Sequence, residues 1–262
     1  MGFANGRNQL KSRPAQIPIV GWQFLFSIRF IIKFLMTHYL DSELKKVNRL
    51  KWLPWIGKRY FDIPAEHRIL IVGESHYHDN TTASIDKHDS IIFTREVVDE
   101  MAIDRCYYDT KIFQNLHKAL FRNDEFDSDK FWNLVSFYNF IQRPMKTNAG
   151  RPNYDDFFFA WTTFFELINI LKPSICLFLG TSSANFLIDA IEETDCTCEE
   201  IKWEDFISNA YAKSVNIKAK DGTKIELVFI RHPSQMFSWN NWNKYLVKKV
   251  GKHIAWLENE TA

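Results

Sequence analysis

The chain has 262 residues, 46% of them hydrophobic and 16% aromatic, enough to bury a large core in one domain with an appendage or in two small domains. Four cysteines (Cys106, Cys176, Cys196, Cys198) are too few for a disulfide framework, and no N-terminal stretch pairs a signal peptide's short apolar core with a small-residue cleavage site, so a cytoplasmic location is expected. The net charge of +1 hides an asymmetry: residues 1–60 hold eleven Lys and Arg against two acids, and the remainder holds 22 against 30.

The opening 60 residues read as a basic, aromatic-rich helical extension. Such an arm is as consistent with neutralising the phosphates of a nucleic acid or an anionic membrane as with a plain solvated face. Gly21 to Leu40 is long and apolar enough to cross a bilayer, but Arg29 and Lys33 near its centre would each cost about 2.5–3.5 kcal/mol on insertion. Four residues apart, both can lie on the polar face of an amphipathic helix, so no stable membrane insertion is expected. Asn48 to Tyr60, where Pro54 and Gly57 interrupt Trp52, Leu53, Trp55 and Ile56, reads as a linker to a domain spanning 61–262.

In that domain Arg68 to Val72 has the pattern of a strand, followed by a polar loop to about Ser90. Helical spacing runs over Thr94 to Met101, Lys111 to Phe121 and Asp155 to Leu171, the last ending at Lys172-Pro173. Ile175 to Leu179 is a buried-strand pattern, and Gly180 opens the next helix. Asp221-Gly222 between alternating runs marks a hairpin whose second arm ends at Ile230, and Asn240 to Leu257 forms a last helix with a lysine-bearing solvated face. The alternation predicts a three-layer α/β/α sandwich with a mostly parallel central sheet.

Two strings follow apolar strand patterns directly: Gly73 to Tyr77 (GESHY) and Arg231 to Phe237 (RHPSQMF). Polar groups at the carboxyl ends of parallel strands converge on one crevice, so the two stretches are expected to build a single pocket. At such a rim Glu74 can act as a partly desolvated base or stabilise a cation, with Ser75 or His76 lending hydrogen bonds. After His232, Pro233 and Ser234, the loop carries Met236, Phe237 and Trp239, apolar side chains of the kind that DNA-distorting proteins insert between bases; core packing is the better reading of Trp239. A metal set of His76, His78, Asp79, Asp86 and His88 is an alternative that a polar loop explains equally well without metal. Ser75 paired with His232 in an esterase-like hydrolase is another, although the string lacks the second glycine of a nucleophile elbow.

These strings resemble the active-site motifs of the uracil-DNA glycosylase superfamily. Gly73-Glu74-Ser75-His76-Tyr77 is similar to its first motif and His232-Pro233-Ser234-Gln235-Met236 to its second; Tyr138-Asn139-Phe140 and Leu179-Gly180-Thr181-Ser182-Ser183-Ala184 stand between them in matching order. The resemblance covers about Ile69 to Trp256. It implies catalysis by Glu74 and His232, a base pocket of Gly73, Ser75, His76, Tyr77 and Asn139, and Met236 as wedge. It also implies DNA contacts from Ser182, Ser234, Gln235 and Phe237, with Arg143, Lys146 and Arg151 on the flanking phosphates. Ser75 and His76 depart from the superfamily's aspartate and proline, and the cysteines lack the spacing of its iron–sulfur branch, so the resemblance implies a non-standard pyrimidine and no cofactor. The expected partner is single- or double-stranded DNA, bound by a monomer in base excision repair or anti-phage defence; a non-catalytic nucleic-acid reader is the alternative.

Overall fold

A computed structural model describes residues 39–77, 82–105, 111–123, 127–145, 150–234 and 236–261. The chain divides into two compact units, Met1–Ser42 and Glu43–Ala262, and all that follows concerns the second. The helix expected over Gly21 to Leu40 lies almost wholly outside the described residues, as do Cys106, Lys146 and Gln235.

An eight-stranded sheet forms the middle layer. Strands β1 (Trp55–Ile56) and β2 (Ile69–Gly73) are followed by helices α1 (Thr82–Asp89), α2 (Phe93–Val98), α3 (Lys111–Phe121) and α4 (Ser128–Trp132). Next come β3 (Ser136–Asn139), α5 (Tyr154–Leu171), β4 (Ile175–Leu179) and the short α6 (Leu187–Ile191). Strands β5 (Thr197–Cys198), β6 (Lys202–Ile207), β7 (Ala210–Lys218) and β8 (Lys224–Ile230) precede the closing helix α7 (Trp239–Thr261). The spatial order is β1-β3-β2-β4-β8-β7-β5, with β6 also paired to β7. Strands β3, β2, β4 and β8 run parallel, while β1 and the β7 group are antiparallel additions at the two edges.

The central strands read as unbroken apolar runs because both faces are covered. Ile69 and Ile71 join Leu177, Val228 and Ile230 in a core shared with Leu116 of α3 and Leu246 of α7. On the opposite face Phe178 and Phe229 stack at 4.6 Å and meet Trp161 of α5. Helix α5 starts at a capping box, in which Asp156 N donates to Asn153 Oδ1 at 2.9 Å and Asn153 N to Asp156 Oδ2 at 2.8 Å. It stops where Lys172 turns left-handed (φ 49°) ahead of Pro173, which cannot continue a helix.

Three sequence expectations are corrected. Asn48 to Tyr60 is not a linker: Trp52 and Tyr60 are fully buried, β1 pairs with β3, and the compact unit begins at Glu43 rather than at 61. Burial of the aromatic rings outweighs the breaking effect of Pro54 and Gly57, and Gly57 is there because its Cα lies against the Asn133 backbone. The polar stretch after Tyr77 contains α1, whose weakly amphipathic composition conceals it. Among the lysines of α7, Lys249 bridges Glu204 and Glu226 at 2.8 and 3.0 Å instead of facing solvent freely.

Replacing Gly57 by alanine drives the new Cβ into the Asn133 carbonyl group. Gly57→Ala is expected to cost about 1–3 kcal/mol, seen as a lowered urea midpoint, whereas alanine at the exposed neighbour Lys58 changes stability by less than about 0.5 kcal/mol.

Candidate active site

Register builds the site. Gly73 pairs with Asn139, Val72 with Phe178, Phe178 with Phe229 and Leu179 with Ile230, so the carboxyl ends of β3, β2, β4 and β8 finish level. Glu74, Gly180 and His232 therefore leave the sheet along one rim, the usual ligand edge of a parallel α/β sheet. Strands β2 and β8 flank β4, which separates their backbones by two strand spacings, about 10 Å.

Glu74 is half-buried, and burial raises its carboxyl above the ordinary value; Arg151 and the Tyr77 hydroxyl, which donates to Oε2 at 3.4 Å, act in the opposite sense. Tyr77 is held by a bridge to Met145, and its phenol is raised by burial and then by the Glu74 charge. His232 is pushed down to about 4, first by burial and then by Arg151, so its ring is neutral at pH 7. The Ser234 backbone N–H donates to its Nδ1 at 3.3 Å, and Ser234 Oγ lies 2.8 Å from the same nitrogen. A ring nitrogen that accepts from an amide is the unprotonated one, which puts the proton on Nε2 and makes that atom a donor. The charge of Arg151 lowers the proton affinity of both Glu74 and His232.

Between Glu74 and the 180–183 turn lies a cavity of about 20 Å³ walled by Phe140, Phe157 and Phe178, with exposed Ser182 at its edge. That volume holds about one water molecule. In the sequence Phe157 is legible only as part of a helix and Phe178 only as part of a buried strand; the place of Phe140 and Phe178 beside strand ends is the available signal.

Other expected site residues are arranged differently. His76 is buried, turned away from the rim against Trp52 and Phe93, and its Nε2 accepts from Asn139 Nδ2 at 2.9 Å and lies 3.0 Å from Thr94 Oγ1. Burial, then His88, depresses His76 to about 3. Asn139 thus reaches the strand end as expected, but its amide is engaged by His76, and its side chain lies so close over Gly73 that only glycine fits there. Arg143 makes a double hydrogen bond to Asp156, at 2.5 Å on each arm, and lines a separate cavity of about 180 Å³ with Arg49, Gln142 and Phe159.

Met236 is 70% exposed with a left-handed backbone (φ 46°), a strained state for a non-glycine residue and one that recurs at functional sites. Phe237 instead stacks on Trp242 at 5.8 Å and belongs to the core. Ser75 Oγ is buried and forms no hydrogen bond to His232, so the esterase-type pair is not assembled. His78 and Asp79 lie outside the described residues, and among the described residues no three His, Cys, Asp or Glu converge as a metal set. None of the described helices is long and apolar enough to cross a membrane. No family model matches the chain, and no characterised protein matches it in sequence.

His76, His117, His232 and His253 are held at about 3, 3, 4 and 4, all below the ordinary 6.5. Unfolding therefore takes up protons below pH 6.5: the stability these rings contribute is complete above that value and is lost as the pH falls towards 4. Urea midpoints should drop between about pH 7 and pH 5, and His117→Gln, remote from the rim, should flatten that drop.

Proposed function

We propose that this protein is a monofunctional DNA glycosylase that hydrolyses the N-glycosidic bond of a flipped-out uracil or modified pyrimidine and leaves an abasic site. One juxtaposition supports the reading: a desolvated carboxylate and a neutral imidazole with a free Nε2–H stand at level strand ends around a common rim. Breaking the bond generates an oxocarbenium-like sugar and an anionic base, which need a negative group and a hydrogen-bond donor on opposite sides.

In this reading ionised Glu74 faces the sugar. Water attacks C1′, the C1′–N bonding pair leaves with the base, and Glu74 takes the proton released by the water; its raised pKa makes it the stronger base. The His232 Nε2–H donates to the base oxygen as negative charge gathers there, and Ser234 fixes the tautomer that allows it. In this reading Met236, exposed, fills the gap left by the extruded nucleotide, and Arg151, whose charge bears on both Glu74 and His232, meets a flanking phosphate. No lysine adduct is involved, so the strand is not cut. The acting form is a monomer, in repair or in defence against phage DNA with altered pyrimidines.

Oligonucleotides carrying uracil, hydroxymethyluracil, hydroxymethylcytosine or glucosylated hydroxymethylcytosine, incubated with the protein and then treated with alkali, test the reading. At least one should break at the altered base, and Glu74→Gln or His232→Ala should slow that release by about 10²–10⁴-fold while DNA affinity is retained. The rate should rise with pH through the raised Glu74 pKa, since only the ionised form acts. Absence of base release from all four substrates overturns the proposal and leaves a nucleic-acid reader.

A further inference from the structure

One surface feature is not used by the mechanism. Trp203, Phe206 and Tyr211 are 62%, 61% and 46% exposed and form a connected cluster, with Tyr211 5.5 Å from Trp203 and 4.8 Å from Phe206. In a regular strand residues three apart point to opposite faces, but a register shift between Trp203 and Phe206 turns both rings to the face of Tyr211 and Lys213. The two-residue turn Ser208-Asn209, both at positive φ, makes the hairpin tight. Its tip is tied to the catalytic loop: Arg231 Nη1 donates to the Ser208 carbonyl at 2.5 Å, and Ser238 N to Ser208 Oγ at 3.2 Å.

The cluster is continuous with the cleft. Lys213 lies 4.1 Å over the Trp203 ring, and its Nζ donates to Thr181 O at 3.3 Å and Asn185 Oδ1 at 2.7 Å, which fixes the turn that walls the Glu74 cavity. The acids of the hairpin are neutralised from α7, Glu204 by Lys249 and Asp205 by Lys248, whereas Lys213 meets no carboxylate among the described residues. Lys213 is itself buried, so its charge reaches the aromatic face only through the Trp203 ring, as a cation–π contact. Exposed aromatic rings, one of them over a buried cation and linked to the wall of a cleft, form the arrangement on which unpaired bases stack, because each base offers a π-face.

We propose that the β6–β7 hairpin is a stacking platform for two or three unpaired bases next to the excised nucleotide, so that the substrate is single-stranded nucleic acid. That this nucleic acid is DNA rests on the glycosylase reading; the platform itself does not. Fluorescence anisotropy with labelled oligothymidylate, and with the matching thymidine–adenine duplex, tests it on the full chain. The wild type should bind the single strand more tightly and with quenched tryptophan emission. Trp203→Ala, Phe206→Ala and Tyr211→Ala should each weaken single-strand binding about ten-fold and leave the duplex unaffected. The aromatic exchanges Trp203→Phe and Tyr211→Phe should retain most of the affinity, which separates stacking from misfolding.

Three results overturn the platform: no preference of the wild type for the single strand, alanine variants that bind it as the wild type does, or a concentration-dependent dimer in sedimentation that the triple alanine variant abolishes. The last would assign this face to a second copy of the chain. Base release is scored separately, so loss of the glycosylase with retained stacking, or the reverse, is distinguishable.

Discussion

The site depends on the in-register parallel pairing of four strands. Because β3, β2, β4 and β8 end together, residues from positions 74, 139, 180 and 232 are delivered to one line although 158 positions separate the first and last. A shift of one residue in any of these strands would send its strand-end side chain to the other face of the sheet. The phenylalanines behind the rim resist such a shift: Phe178 is wedged among Phe140, Trp161, Phe164 and Phe229, and each ring is nearly or wholly inaccessible.

Dryness is the second condition, and it separates the two histidines that the sequence places side by side in function. Both are neutral at pH 7 because burial disfavours the charged ring. His76 spends its Nε2 on Asn139 at the end of β3 and on Thr94 of α2, whereas His232 has its Nδ1 occupied by Ser234, which leaves the proton on its other nitrogen. The same desolvation raises Glu74. One environment thus sets a strong base and a neutral donor at the same pH.

Much of the fold was legible because its strands are buried on both faces and its longest helices carry regular apolar spacing: Arg68 to Val72, Ile175 to Leu179 and Asp155 to Leu171 match β2, β4 and α5 closely. Residues 48–60 were misread because Pro54 and Gly57 are local signals, while the burial of Trp52 and Tyr60 is a tertiary one. The positions of Glu74 and His232 were legible as strand ends. Their neighbours were not, since the Asn139–His76 hydrogen bond joins residues 63 apart and nothing local encodes it. Nor does the order Met236-Phe237 reveal which side chain leaves the core; a left-handed backbone at Met236 decides that.

Asp156 has several partners at once. It accepts from Asn153 N in the capping box of α5 and from Nε and Nη2 of Arg143. Drawing that guanidinium towards any other anion would strip a charge-assisted pair from the first turn of the helix that supports Phe157, a wall of the cleft. The 180 Å³ cavity and the Glu74 cavity thus share one structural support: Asp156, which lines the first, caps the helix whose Phe157 walls the second.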